Sequence, residues 1–337
     1  MAKISDTWVL FVVSLLLAII GLCLFPHSGS VPSIYAQAYP TKGIQLIVPF
    51  PPGGSTDLTG RVVASYLSKK WGQPISVVNK PGAGGTTGVV FALQAKNDGY
   101  TMLMHVTSAG TLNPAIEKKL PYKWDDPTLI AQTNISPLVF IIKGDSPWKD
   151  LREVVEDVKK DPTRFKYGTS GPGGPSTFAI AQLLESAGVD PTKVARIVLQ
   201  GGAPTVTAVA GGHVDFAAQN LSEVISLIEA KKIRGLAVTT SQRVKQLPDI
   251  PTGKEAGFGA LNLVGWNGVA GPPHLPDYVI KKWDEGIREA MKDPHFLEEM
   301  ERIGADAAYL GPSEFKAFLQ EQYQSALKIA ENLGLRK

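Results

Sequence analysis

The stretch Ile44-Gln45-Leu46-Ile47-Val48-Pro49-Phe50 runs straight into Pro51-Pro52-Gly53-Gly54-Ser55-Thr56-Asp57. An apolar strand gives way to a Gly/Pro-rich turn. An amphipathic helix follows over Leu58–Trp71, with Val62, Val63, Tyr66 and Leu67 on one face. The design repeats at once, as Ile75–Val78 leads into Asn79-Lys80-Pro81-Gly82-Ala83-Gly84-Gly85-Thr86-Thr87-Gly88. Neither turn holds a side chain suited to breaking bonds. Both hold glycines, which let backbone N–H groups approach a ligand closely, and hydroxyl residues suited to capping a helix. A helix N-terminus reached through such a turn favours an anion, because its first N–H groups are unpaired and its dipole is positive there. Two such turns in close succession point to a carboxylate or phosphate held between loops, and so to binding rather than catalysis.

The same alternation continues outward from this pair. Strands are expected at Thr101–His105, Ile130–Thr133, Leu138–Ile142, Phe165–Gly168, Ala195–Leu199, Val214–Ala218, Gly235–Thr239 and Leu263–Ala270. Helical periodicity marks Trp148–Lys160, Thr177–Ala187 and Glu314–Leu333. Strands alternating with helices argue an α/β protein with mainly parallel sheets. Breaks are expected at Asn134-Ile135-Ser136-Pro137 and at Phe258-Gly259-Ala260, which divide the chain into 39–136, 137–259 and 260–337. The last piece is expected to rejoin the first.

Upstream, Val9–Phe25 is an apolar run of about 17 residues, between a signal-peptide core and a short membrane span. Residues 1–38 read as a signal peptide, with Ala36-Gln37-Ala38 as the small-x-small cleavage site, or as an uncleaved N-terminal anchor. The single cysteine, Cys23, lies inside that run, so a cleaved chain has no thiol and no disulfide, as suits an oxidising compartment. The net charge of +3 is spread along the chain without a basic block, which argues against nucleic acid as a partner.

Several constellations resemble catalytic or cofactor motifs and fall short of them. Gly82-x-Gly84 lacks the third glycine of a dinucleotide fingerprint, and no Gly-Lys-Ser/Thr ending makes a phosphate loop. Thr169-Ser170-Gly171-Pro172-Gly173-Gly174-Pro175-Ser176-Thr177 is a third Gly-rich entry to a helix. Ser170 there lacks the second glycine of a hydrolase elbow, so the loop reads as a set of N–H and hydroxyl donors. His27, His105, His213, His274 and His295 show no metal-ligand spacing, and no metal or other cofactor is expected. Asp57 reads as a cap at a helix start in preference to a catalytic acid. Asp215 either meets ligand or braces a strand end. Trp266 is a core or interdomain aromatic, or else lines the cleft.

The order and spacing of a set of short motifs carry a family resemblance. They are Tyr39-Pro40-Thr41-Lys42, Pro49-Phe50-x-x-Gly53-Gly54-x-x-Asp57, Gly72-Gln73-Pro74, Asn79–Gly85 and Asp98-Gly99-Tyr100-Thr101. Leu120-Pro121-Tyr122, Gly211-Gly212-His213-Val214-Asp215, Pro248-Asp249-Ile250-Pro251-Thr252 and Trp266-Asn267-Gly268 follow. Together they resemble the extracytoplasmic solute receptors of tripartite tricarboxylate transporters, the Bug-type periplasmic binding proteins. The resemblance implies a two-lobed type II periplasmic-binding-protein fold of α/β class with two interdomain crossovers. It implies a non-enzymatic, monomeric receptor that captures an organic carboxylate (a di- or tricarboxylate or an aromatic acid) and delivers it to a membrane permease. A ligand sensor for a membrane signalling partner is the alternative, and an α/β hydrolase a more distant one.

By the same resemblance, Phe50, Gly53, Gly54, Ser55, Thr56 and Asp57 of the first loop grip one carboxylate with Pro81, Gly82, Ala83, Gly84 and Gly85 of the second. Thr107 and Ser108 add contacts from the same lobe. Ser170, Gly171, Gly173, Thr177, Gly201, Gly202 and Asn220 read the remainder of the ligand from the other lobe. The chain departs from the pattern at Pro51-Pro52, at Gln200-Gly201-Gly202 and in its long leader.

Overall fold

The computed structural model describes residues 38–336 apart from Ala260, Asn262 and Leu333. The leader expected over residues 1–38 therefore falls almost wholly outside the described residues. Among the described residues no helix is long and apolar enough to cross a membrane.

Strands β1 (Ile44–Val48), β2 (Ile75–Asn79) and β3 (Thr101–Val106) pair in parallel in the order β2-β1-β3. Their connections carry helices α1 (Ser55–Trp71) and α2 (Thr86–Leu93). Side chains of β1 alternate, as the strand period of two requires. Ile44, Leu46 and Val48 enter one core with Met102, Met104 and Trp283, while Ile47 enters another with Leu103, Val89 and Trp266. Both faces are apolar because helices cover both.

The sheet then changes character. β3 pairs antiparallel with β9 (Val264–Gly271), and β9 pairs antiparallel with β4 (Thr128–Lys143). β4 is one continuous strand of 16 residues. Its first part, through Pro137, pairs with β9, and from Leu138 onward it pairs with β7 (Phe216–Asn220) and β8 (Ile233–Val238). From β7 the sheet runs in parallel through β5 (Lys166–Thr169) to β6 (Ala195–Val198). The result is a single curled sheet of ten strands whose two halves share β4.

Two expectations are corrected here. The separate strands Ile130–Thr133 and Leu138–Ile142 are one, because Pro137 sits where the partner strand changes. A missing N–H costs little at such a changeover, and the residue before proline prefers extended backbone anyway. The sheet is also mixed rather than mainly parallel, since β8, β9 and β10 (Asp306–Leu310) all run antiparallel to β4.

Helices α4 (Leu151–Lys160), α5 (Pro175–Ser186), α6 (Gly202–Ala210) and α7 (Leu221–Glu229) flank the second half of the sheet. Short α3 (Asn113–Ile116), then α8 (Asp277–Ala290), α9 (Pro294–Arg302) and α10 (Pro312–Asn332), pack against the first half. One apolar cluster joins the halves: Phe178 of α5 is fully buried with Leu112, Ile116, Ala326 and Ala330.

Candidate functional site

The first loop is held from behind by a buried carboxylate. Gly54 is the N-cap of α1, so Ser55, Thr56 and Asp57 form the first helical turn, three residues earlier than periodicity suggested. Asp57 Oδ2 accepts from the Gly53 N–H and from Arg61 Nε, both at 2.9 Å. Its Oδ1 accepts from Arg61 Nη2 at 3.0 Å and from Asn79 Nδ2 at 2.9 Å. Burial alone would raise the carboxyl pKa, but the hydrogen bonds from Arg61, Gly53 and Asn79 outweigh it and hold the group below its ordinary value. Asn79 also donates to the Phe50 carbonyl at 2.9 Å, tying the end of β2 to the first loop.

Facing this turn across a cleft are the N-terminus of α6 and the first turn of α7. A cavity of about 30 Å³ lies between them, room for no more than one or two waters. Phe50, Gly54, Ser55, Thr56, Thr107 and Ser108 line it from the first half of the sheet. Ser170, Gly202 and Asn220 line it from the second. Nine residues singled out from the sequence thus meet at one cavity. Trp266, Asn267 and Glu223 line it as well.

The other expected site residues do not line it. Gly53 and Asp57 form the clamp described above. Pro81 and Ala83 are exposed, and Gly82 accepts the Gly85 N–H at 2.9 Å within the second loop. Gly84 and Gly85 are buried, Gly85 against the Phe50 ring and Ala109. Gly171 approaches the Gly84 backbone from the opposite half. Asn113 bridges the same gap: its Nδ2 donates to the Gly84 carbonyl at 2.9 Å, and its Oδ1 accepts the Gly173 N–H at 3.0 Å. Thr177 shares a hydrogen bond with Thr169, Oγ1 to Oγ1 at 2.9 Å, and Gly201 lies against Pro51. Asp215 braces a strand end, accepting the Lys166 N–H at 2.8 Å.

Thr107 acts on the cavity through a neighbour. Its Oγ1 accepts the Trp266 N–H at 2.6 Å and donates to the Trp266 carbonyl at 3.1 Å, fixing that residue at the cavity wall. Behind the indole lies His105, edge-on at 5.6 Å between ring centroids and fully buried, with neither ring nitrogen partnered among the described residues. Burial pushes its pKa down to about 3. The unfolded chain takes up a proton there near pH 6.5 and the folded chain does not. Stability from this group is therefore complete above that pH and is lost as pH falls toward the folded value. We expect wild type to lose about 1.5–2 kcal/mol relative to His105→Leu between pH 6.5 and pH 5. Urea titrations of both proteins at the two pH values measure this, and parallel pH profiles would exclude it.

Asn79, Asn113, Asn267 and Glu223 were not picked out from the sequence as site residues. Three are amides whose partners lie on distant segments, which leaves no local signature. Glu223 did carry one, since Asn220-x-x-Glu223 is a helix-start pattern that places the acid in a first turn.

Chemically the cavity offers hydroxyls and helix N-termini. No histidine lines it among the described residues, so Ser170 has no imidazole base of the serine-hydrolase kind. Among the described residues no group of three or more His, Cys, Asp or Glu is placed to hold a metal ion.

Comparison with known proteins bears on the family and the fold. The model of the tripartite tricarboxylate transporter family receptor matches residues 59–335. A UPF0065 protein of Bordetella pertussis is 31% identical over 304 residues, 90% of this chain and 93% of that protein. BugT of the same organism is 28% identical over 325 residues, covering 95% and 98% of the two chains. A solved structure described as a periplasmic transporter superposes with TM-score 0.84 at 32% identity, over 89% of this chain and 99% of that one. The periplasmic binding protein BugD gives 0.82 at 29%, over 89% and 100%. With its two-lobed type II periplasmic-binding-protein fold, the chain belongs to the tripartite tricarboxylate transporter receptor family, among the Bug-type periplasmic solute-binding proteins.

Proposed function

We propose that this protein is exported by its N-terminal leader, captures a small organic carboxylate in the cleft and delivers it, as a monomer, to the membrane permease of a tripartite tricarboxylate-type transporter. Residues 39–136 with 260–337 form one lobe and 137–259 the other, and closure of the two dehydrates the ligand. The observation that carries this reading is the meeting of two helix N-termini, those of α1 and α6, with Ser108 and Ser170 at one cavity. Unpaired N–H groups and hydroxyls bind an anion by charge-assisted hydrogen bonds, stronger in a water-poor cleft than in the open. The cavity is too small for a dicarboxylate as it stands, so ligand entry requires the lobes to part, the hinge motion expected of such a fold.

A thermal-shift screen across mono-, di-, tricarboxylic and aromatic acids tests the proposal. An acid present at 100 times its dissociation constant stabilises the folded state by about 2.7 kcal/mol, a shift well within reach of the method. Midpoints unchanged by every acid, with a shift produced by a sugar or a cation, would reject it.

A further inference from the structure

Glu223 brings the one carboxylate into the cavity: no Lys, Arg, His or Asp lines it among the described residues. The side chain rises from the first turn of α7, three residues beyond its N-cap Asn220. A glutamate there ordinarily turns back to cap its own helix. This one also reaches across the cleft. Its Oε1 accepts the Ser55 N–H of α1 at 3.1 Å, and its Oε2 receives Asn220 Nδ2 at 3.5 Å. A Cβ added at Gly202 would fall on the carboxyl group, so the carboxylate lies between the N-termini of α1 and α6. Those are the positions where the ligand's own carboxylate would be expected.

No cation pairs with Glu223 among the described residues, and the Arg61 guanidinium at α1 is committed to Asp57. Burial raises the carboxyl pKa, and the hydrogen bonds from Ser55 and Asn220 only partly oppose this. Even a half-buried carboxylate without a countercharge is costly. A second acceptor stands nearby. Asn267 lines the same cavity with Oδ1 buried and unpartnered among the described residues, while its Nδ2 donates to Asn134 Oδ1 at 3.3 Å. The cleft therefore presents surplus acceptors beside its anion-binding N–H groups.

Building on the reading of this cleft as a carboxylate site, we propose that Glu223 and Asn267 select a ligand with a cationic nitrogen beside its carboxylate, an amino-carboxylate, over a dicarboxylate of similar length. The ammonium group supplies the missing countercharge and donates to both acceptors. The ligand carboxylate takes the remaining N–H groups of the α1 first turn and the hydroxyls of Ser108 and Ser170. A dicarboxylate instead sets a second negative charge against Glu223 in a narrow, dehydrated space, where like charges repel strongly.

Calorimetric titration with two matched pairs decides the matter: 4-aminobutanoate against glutarate, and 3-aminopropanoate against succinate. Wild type is expected to prefer the amino member of at least one pair by tenfold or more. Glu223→Gln keeps the size and capping ability of the side chain and removes its charge, and should cut that preference at least tenfold, chiefly by gaining dicarboxylate affinity. A wild type that binds glutarate or succinate as well as its amino partner overturns the inference and leaves the carboxylate reading intact. An equal gain for both members in Glu223→Gln also overturns it, since Glu223 would then merely compete for the Ser55 N–H. Failure of all four probes and of the wider acid screen overturns both.

Discussion

Replacing Gly171 by valine is expected to weaken carboxylate binding by at least about a hundredfold, or ~2.7 kcal/mol, while both lobes stay folded. Gly171 has φ +147°, a conformation that side chains with a Cβ rarely adopt. A Cβ added there would stand 2.9 Å from the Cα of Gly84 in the other half of the sheet. Both partners are backbone, so neither can rotate aside, and the two loops must separate. Separation also breaks the Asn113 bridge between the Gly84 carbonyl and the Gly173 N–H. The cleft could then close only partly, and water would compete for every hydrogen bond to the ligand. Titration calorimetry with the best acid from the screen, paired with small-angle scattering to follow closure, provides the measurement. Near-wild-type affinity in a folded Gly171→Val protein would mean that contact between these loops is no part of binding.

The second large effect is on stability. Trp283 of α8 is completely buried, meets Trp71 edge-on with ring centroids 5.0 Å apart, and donates from Nε1 to the Tyr39 hydroxyl at 2.8 Å. Tyr39 in turn donates to the Gly99 carbonyl at 2.6 Å, tying the segment before β1 to the turn before β3. Trp283→Ala removes the largest side chain of that core and leaves the tyrosine hydroxyl with one partner fewer. Substitutions of this kind cost about 3–5 kcal/mol. At about 2–4 °C per kcal/mol, the unfolding midpoint should drop by roughly 10 °C. Urea unfolding of the two proteins measures the difference. A loss below about 1 kcal/mol would show that the surrounding helices collapse onto the space, contrary to the dense packing of such cores.

Much of the architecture was legible in short windows of the chain. The strand–turn–helix pairs at Ile44–Trp71 and Ile75–Gly88 encode their own form, since alternating apolar residues, left-handed glycines and capping hydroxyls act over a few positions. Gly54, Ser55, Thr56 and Ser170, which the family resemblance implies meet ligand, line the cavity, each on a Gly-rich turn that leads into a helix. Strand β10 was missed because Asp306-Ala307-Ala308-Tyr309-Leu310 lacks a clear alternation and is held by pairing with Gln132–Ile135 of β4. A single strand runs through the domain break expected at Asn134–Pro137, because β9 and β7 each pair with one side of Pro137.

The sequence by itself determined the α/β class and the Gly-rich turns that open helices, because these depend on neighbours along the chain. The tertiary structure alone decided how β4 is shared between two lobes, which loops touch across the cleft, and that Glu223 reaches the N-terminus of α1. Those arrangements join residues such as Ser55 and Glu223, 168 positions apart. No local propensity specifies such a meeting, which is set by sheet pairing and by the packing of helices on its faces.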